Sequence, residues 1–82
     1  MYMQLIKIYK DNCVPCDQLT RLLSYYGVSY TSVNLFDKGM MGKYKARSVP
    51  TLIMLDDEGN EISRVEGYKP TQIIKFVEDF IK

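Results

Sequence analysis

Cys13-Val14-Pro15-Cys16 is the segment of this chain whose residue types and spacing most plainly permit chemistry. Two cysteines three positions apart at a helix start can close a disulfide across one turn. The first then lies where free helix N–H groups and the helix dipole stabilise an anion. Such a position lowers a thiol from about 8.5 into the range of roughly 3.5–7.5. A thiolate at neutral pH is the attacking species in thiol–disulfide exchange, and a thiol of low pKa is also the better leaving group. Cys16, one turn further in, is expected to be more buried and to titrate higher. Cys13 is therefore expected to attack a substrate disulfide, and Cys16 to resolve the mixed disulfide that results.

Three other readings of the pair stay open at this point. Two cysteines at this spacing supply half of a zinc site. The chain has no other cysteine and no histidine, so a second copy or carboxylates would have to complete the shell. A purely structural disulfide is a second reading, but a four-residue loop removes little chain entropy and a reducing compartment would open it. Two inert core thiols are the third, since free cysteine is often buried. A Cys-x-x-Cys placed directly after a strand and opening a helix, inside a βαβ pattern, favours redox chemistry over all three.

The 82 residues allow a single domain, taken as 1–82. With 46% apolar and 26% charged residues the balance is that of a globular chain, not a disordered one. A net charge of +1 points neither to nucleic acid nor to an anionic membrane. No run approaches the ~20 apolar residues of a membrane span. Met1-Tyr2-Met3-Gln4-Leu5-Ile6-Lys7 lacks the basic and apolar regions of a signal peptide, so a cytoplasmic, reducing location is expected. The absence of histidine removes His-based acid–base and triad chemistry. No metal is expected, and no cofactor beyond the dithiol itself.

The elements that must position the cysteines can be read from periodicity. Met3 to Tyr9 is a near-continuous apolar run broken mainly by Lys7, as in a strand covered on both faces. Lys10-Asp11-Asn12 is a loop. Leu19, Leu22, Leu23 and Tyr26 recur at helical spacing after Cys16, with Pro15 and Asp17 in the first turn and Gly27 as a stop. A second strand is expected over Val28 to Phe36 and a short helix, weakened by Gly39 and Gly42, within Lys38 to Lys45. Thr51 to Leu55 reads as a buried strand, Asp56 to Asn60 as a turn and Glu61 to Glu66 as a polar edge strand. Ile73, Ile74, Phe76, Val77, Phe80 and Ile81 form an amphipathic pattern after Pro70. The order β-α-β-(α)-β-β-α implies an α/β fold, a four-stranded mixed sheet flanked by helices.

With the dithiol in this setting, the whole chain resembles the thioredoxin/glutaredoxin superfamily. Lys43-Tyr44-Lys45-Ala46-Arg47-Ser48-Val49-Pro50-Thr51-Leu52 is similar to the stretch that leads into the cis-proline strand of that family. The resemblance implies a cis Pro50 packed against the cysteines and a Val49 backbone that pairs with substrate in strand fashion. Thioredoxins carry Trp before the first cysteine and Gly after it, where this chain has Asn12 and Val14. They also carry a buried acidic residue six positions before the first cysteine, which assists proton transfer; that position is Lys7 here, leaving the proton route open.

The short length and Ile6-Lys7-Ile8-Tyr9 look more like glutaredoxins, but the paired glycine with which those bind glutathione is a single Gly67 here. Gly67-Tyr68-Lys69-Pro70 instead resembles the ending of NrdH-type redoxins, which reduce ribonucleotide reductase and take electrons from thioredoxin reductase, and the small chain as a whole also resembles mini-thioredoxins. The resemblance therefore implies a protein-disulfide reductase, with ribonucleotide reductase as a client. The alternatives are a glutathione-dependent glutaredoxin and a thioredoxin-fold binding module without turnover. Val14, Pro15, Val49, Pro50, Gly67 and Tyr68 are the candidate substrate-binding residues, although Gly67 equally suits the end of an edge strand. Lys38, Lys43, Lys45 and Arg47, joined by Lys10 and Lys69, form either a basic rim around the thiolate or a solvated helix face. Tyr9 and Tyr68 are candidates to flank the dithiol. Nucleic acid and membrane are not expected as partners, and the chain is expected to be a monomer.

Overall fold

The first strand, β1 (Gln4–Tyr9), is buried at four consecutive positions, which places it inside a sheet with both faces covered. A computed structural model describes residues 3–81. Met1, Tyr2 and Lys82, the ends of the expected 1–82 domain, lie outside the described residues. Helix α1 (Val14–Tyr26) follows, then β2 (Thr31–Asn34), α2 (Met40–Tyr44), β3 (Thr51–Leu55), β4 (Glu61–Glu66) and α3 (Pro70–Ile81). The sheet order is β2-β1-β3-β4, with β1 and β2 parallel and the other pairs antiparallel. The expected mixed four-stranded α/β architecture is therefore the observed one.

Two apolar clusters sandwich the sheet. Leu5, Leu52, Met54 and Val65 point to one face and meet Leu19 and Leu23 of α1 and Ile73, Phe76 and Val77 of α3. Ile6, Ile8 and Ile53 point to the other and meet Leu35 and Ala46. The period-2 alternation along β1 thus feeds both layers. Lys7 interrupts it: it lies between Leu5 and Tyr9 on the α1 face, where an aliphatic residue would be ordinary.

Helix α1 ends where Gly27, at φ 67°, donates its N–H to the carbonyls of Leu23 and Ser24, a left-handed cap that glycine adopts without strain. The second strand is shorter than the expected 28–36. Only Thr31 to Asn34 pair, opposite Ile6 to Tyr9, while Val28 and Tyr30 pack against the α1 and α3 cluster without joining the ladder. Helix α2 is a five-residue turn set between Gly39 and Lys45, both at positive φ. Arg64 of β4 fastens its end: the guanidinium donates to the Tyr44 carbonyl at 2.7 Å while pairing with Glu61 at 2.6 Å. No helix among the described residues is long and apolar enough to cross a membrane.

Candidate active site

Antiparallel register brings three chain ends to one pole of the sheet. Ile8, near the end of β1, sits opposite Thr51 at the start of β3, and Thr51 sits opposite Glu66 at the end of β4. The loop after β1 leads through Asn12, in the left-handed region at φ 55°, into Cys13. Asparagine is one of the few side chains that tolerate that conformation. Pro50 and Gly67 therefore lie at the same pole as the dithiol, although they are 37 and 54 residues away in sequence (50 − 13 and 67 − 13).

Cys13 is the N-cap of α1, extended at φ −123° and ψ 104°, and its sulfur accepts the Cys16 N–H at 3.1 Å. A cap position normally held by a hydroxyl or carboxylate is held here by a thiol. The same N–H is therefore ready to stabilise a Cys13 thiolate. The two cysteines form a disulfide with a Cα–Cα distance of 5.2 Å. Both are buried, Cys16 on the inward face that also carries Leu19 and Leu23, whereas Val14 between them is 69% exposed and Pro15 is exposed. The short connection thus presents apolar surface outside a covered sulfur pair.

The Val49–Pro50 peptide is cis, in agreement with what the family resemblance implied. Pro50 is fully buried and Val49 half-buried. Thr51 closes the turn by donating its hydroxyl to the Ser48 carbonyl at 2.9 Å. Gly67, at φ 85°, donates its N–H to the Pro50 carbonyl at 2.7 Å. Its conformation therefore serves the proline loop, directly after the last residue of β4. A Cβ at Gly67 would meet open space, its nearest neighbour being the Lys69 Cε at 3.9 Å, so substitution brings backbone strain without a clash. Gly67→Ala is expected to cost about 1–2 kcal/mol, lowering the thermal midpoint by roughly 5–15 °C in a scanning melt.

The proposed basic rim is not one surface. Lys43 and Lys45 line an open hollow of about 530 Å³ with Gln4, Leu55, Glu61 and Arg64, at the pole opposite the dithiol. There Lys45 helps hold the Glu61 carboxyl below its usual range, after the stronger effect of the Arg64 hydrogen bond. These two lysines belong to the α2–β4 contact. The two tyrosines have different surroundings. Tyr68 packs on the α1 and α3 cluster, beside Gln18, Arg21 and Leu22, and Tyr9 stacks over Lys7.

Lys7 is the site's unforeseen feature in its surroundings. It is only 7% exposed, and its Nζ donates to Thr20 Oγ1 at 2.6 Å. Thr20 in turn donates to the Cys16 carbonyl at 3.1 Å. The rings of Tyr30 and Tyr9 cover the ammonium at 5.1 and 5.3 Å from their centroids. Burial pushes Lys7 below its ordinary value, opposed by the negative charge of Asp17. Thr20 was missed in the sequence, yet it stands four residues after Cys16 on an otherwise apolar helix face, which is a legible signal.

Comparison with known proteins agrees with this geometry. A family model described as a thioredoxin-like domain matches residues 3–81. A prophage-derived thioredoxin-like protein of Bacillus subtilis is 27% identical over 78 residues, covering 94% of this chain and 98% of its own. The thioredoxin of Chlamydia pneumoniae is 30% identical over 76 residues, covering 85% of this chain and 74% of its own. Among solved structures, a Malassezia sympodialis thioredoxin superposes with a TM-score of 0.82 at 16% identity, covering 94% of this chain and 75% of that one. Fasciola hepatica thioredoxin gives 0.80 at 18% identity, covering 94% and 79%. A Cys-x-x-Cys disulfide capping a helix, a cis-proline loop at the same pole and a match over nearly every residue lead to one conclusion: the chain belongs to the thioredoxin-like family.

Proposed function

We propose that this chain reduces protein disulfides, with Cys13 as nucleophile and Cys16 as resolving thiol. The observation that carries the reading is the Cys16 N–H directed at Cys13 Sγ from the first turn of α1. It gives the outer sulfur a thiolate-stabilising donor and leaves the inner sulfur on the buried face. Val14, Pro15 and the backbone of Val49 would receive an extended substrate segment by strand-like pairing, with Pro50, Gly67 and Tyr68 shaping the floor and flank of that surface. Thioredoxin reductase is the electron donor that fits this reading. Ribonucleotide reductase is the client suggested by Gly67-Tyr68-Lys69-Pro70, and the expected setting is a reducing cytoplasm.

The test is reduction of insulin disulfides by NADPH through thioredoxin reductase, set against NADPH through glutathione and glutathione reductase. Turnover with thioredoxin reductase alone is the expected result. Turnover with glutathione alone would make the chain a glutaredoxin and overturn the proposed donor. Silence with both, together with function retained by a variant in which both cysteines are serine, would replace the reductase reading with a binding module.

A further inference from the structure

Lys7 is a charged group where the fold has no structural need of one. It sits mid-strand between Ser32 of β2 and Leu52 of β3, on the face that packs against α1. Replacing a buried ion by an apolar side chain of similar size is often neutral or stabilising, so retaining an ammonium here carries a cost. Among the described residues its only hydrogen-bond acceptor is the neutral Thr20 hydroxyl, and the ion pairs of the molecule belong to Arg64. The other titratable groups facing it are Asp17 on α1, Tyr9 at the end of β1 and Tyr30 before β2; β3 contributes none. In the disulfide form the cation therefore has no anion in direct contact.

Reduction supplies one. Thr20 and Cys16 are separated by four residues on the same helix face, about 5–6 Å between Cβ atoms. A cation hydrogen-bonded to Thr20 is thus held about one helical turn from Cys16, whose carbonyl accepts from the same hydroxyl. From this juxtaposition we infer that Lys7, held by Thr20, is a positioning residue that favours the thiolate form of Cys16 in the reduced protein and so speeds the resolving step. In that step the Cys16 thiolate, its proton already lost to solvent, attacks Cys13 Sγ of the mixed disulfide. The Cys13–Cys16 bond forms as the Cys13–substrate bond breaks. The substrate sulfur leaves with the electron pair and takes a proton from solvent, so the dithiol is oxidised and the substrate reduced by two electrons.

The inference rests on the reductase reading for its biological use, but its test needs no partner. In a Cys13→Ser background Cys16 is the sole thiol, and the pH midpoint of its alkylation by iodoacetamide reports its thiolate. A unit charge one helical turn away, at an effective dielectric near 20, acts on the scale of about one to two pH units. Lys7→Met is expected to raise the midpoint by that amount, and Lys7→Arg, which keeps the charge, to restore most of it. A side chain that merely filled space would change the alkylation rate without moving the midpoint. A one-unit rise lowers the thiolate fraction at neutral pH about tenfold, partly offset by the greater nucleophilicity of the more basic sulfur. Glutathione release from its mixed disulfide with Cys13 should consequently slow about threefold in Lys7→Met with both cysteines intact. A midpoint unmoved by Lys7→Met, or raised as much by Lys7→Arg, overturns the inference. Should Lys7→Met fail to fold, Thr20→Val decides: a raised midpoint supports the role and an unmoved one overturns it. Failure of insulin reduction by the native chain would remove the reductase reading and leave this measurement intact.

Discussion

Cys13→Ser is expected to abolish disulfide reduction, and Cys16→Ser to halt it one step later. The two sulfurs are equivalent in the disulfide but not in the chain around it. Cys13 caps α1 and receives the Cys16 N–H, while Cys16 shares its face with Leu19 and Leu23 beneath the exposed Val14–Pro15 connection. Serine at Cys13 removes the proposed nucleophile, so insulin reduction should fall by at least about two orders of magnitude, the scale on which loss of a covalent nucleophile acts. Serine at Cys16 leaves that attack intact and removes the release step. Mixed disulfides with Cys13 should then accumulate and be visible by mass spectrometry after alkylation. A separate melt under reducing conditions compares the folded stability of the variants with that of the native chain, which then holds no cross-link that they lack. Accumulation in Cys13→Ser instead would reverse the assignment of roles.

The dithiol was the easiest part of this site to read because its chemistry is local. Four consecutive residues, a preceding strand and a following helix specify both the bond and the cap. Strands β3 and β4 were equally plain, with Thr51 to Leu55 and Glu61 to Glu66 observed at the bounds their patterns imply. Val28 and Tyr30 show where pattern reading stops. Their side chains are partly buried against the helices, which produces an apolar signal, but their backbones lie outside the β1–β2 pairing. Periodicity reports burial and is silent on which carbonyl finds which N–H. The same limit hid the contacts that finish the site. Gly67 to Pro50 and Lys7 to Thr20 join residues 17 and 13 positions apart, through a sheet register and a helix rotation that no local pattern encodes. The cis form of Pro50 was reached only through family resemblance, since a proline opening a strand is compatible with either isomer. The two readings left open for the basic residues are separated by the same kind of contact. Lys43 and Lys45 are close in sequence to Pro50, yet the chain reverses between them and places both lysines at the opposite pole beside Glu61 and Arg64.

Ile53→Ala should produce the largest loss of stability of any single truncation considered, because the pole that carries the site hangs from β3. Ile53 is fully buried in the middle of a strand paired on both sides, opposite Ile6 and Arg64, and packs with Ile8, Leu35 and Ala46. Removing three carbons from such a position costs about 2–5 kcal/mol, through lost transfer energy and the cavity that remains. A chain of this size has total stability on the order of 4–12 kcal/mol, so the loss is a large fraction of the whole. The thermal midpoint should fall by roughly 10–30 °C. Ile53→Val leaves a much smaller void and should cost only about 0.5–1.5 kcal/mol. Ile62→Ala is the control: Ile62 stands on the edge strand β4 with 52% of its surface exposed, and its truncation should cost less than about 1 kcal/mol. If Ile62→Ala destabilised as much as Ile53→Ala, the cluster beneath α2 would not be the close-packed layer described. If the order holds, Ile53→Ala should still reduce insulin well below its lowered midpoint, because β3 carries Pro50 into place whenever the sheet is formed. Stability and turnover would then separate, and only Cys13 and Cys16 would abolish the second while sparing the first.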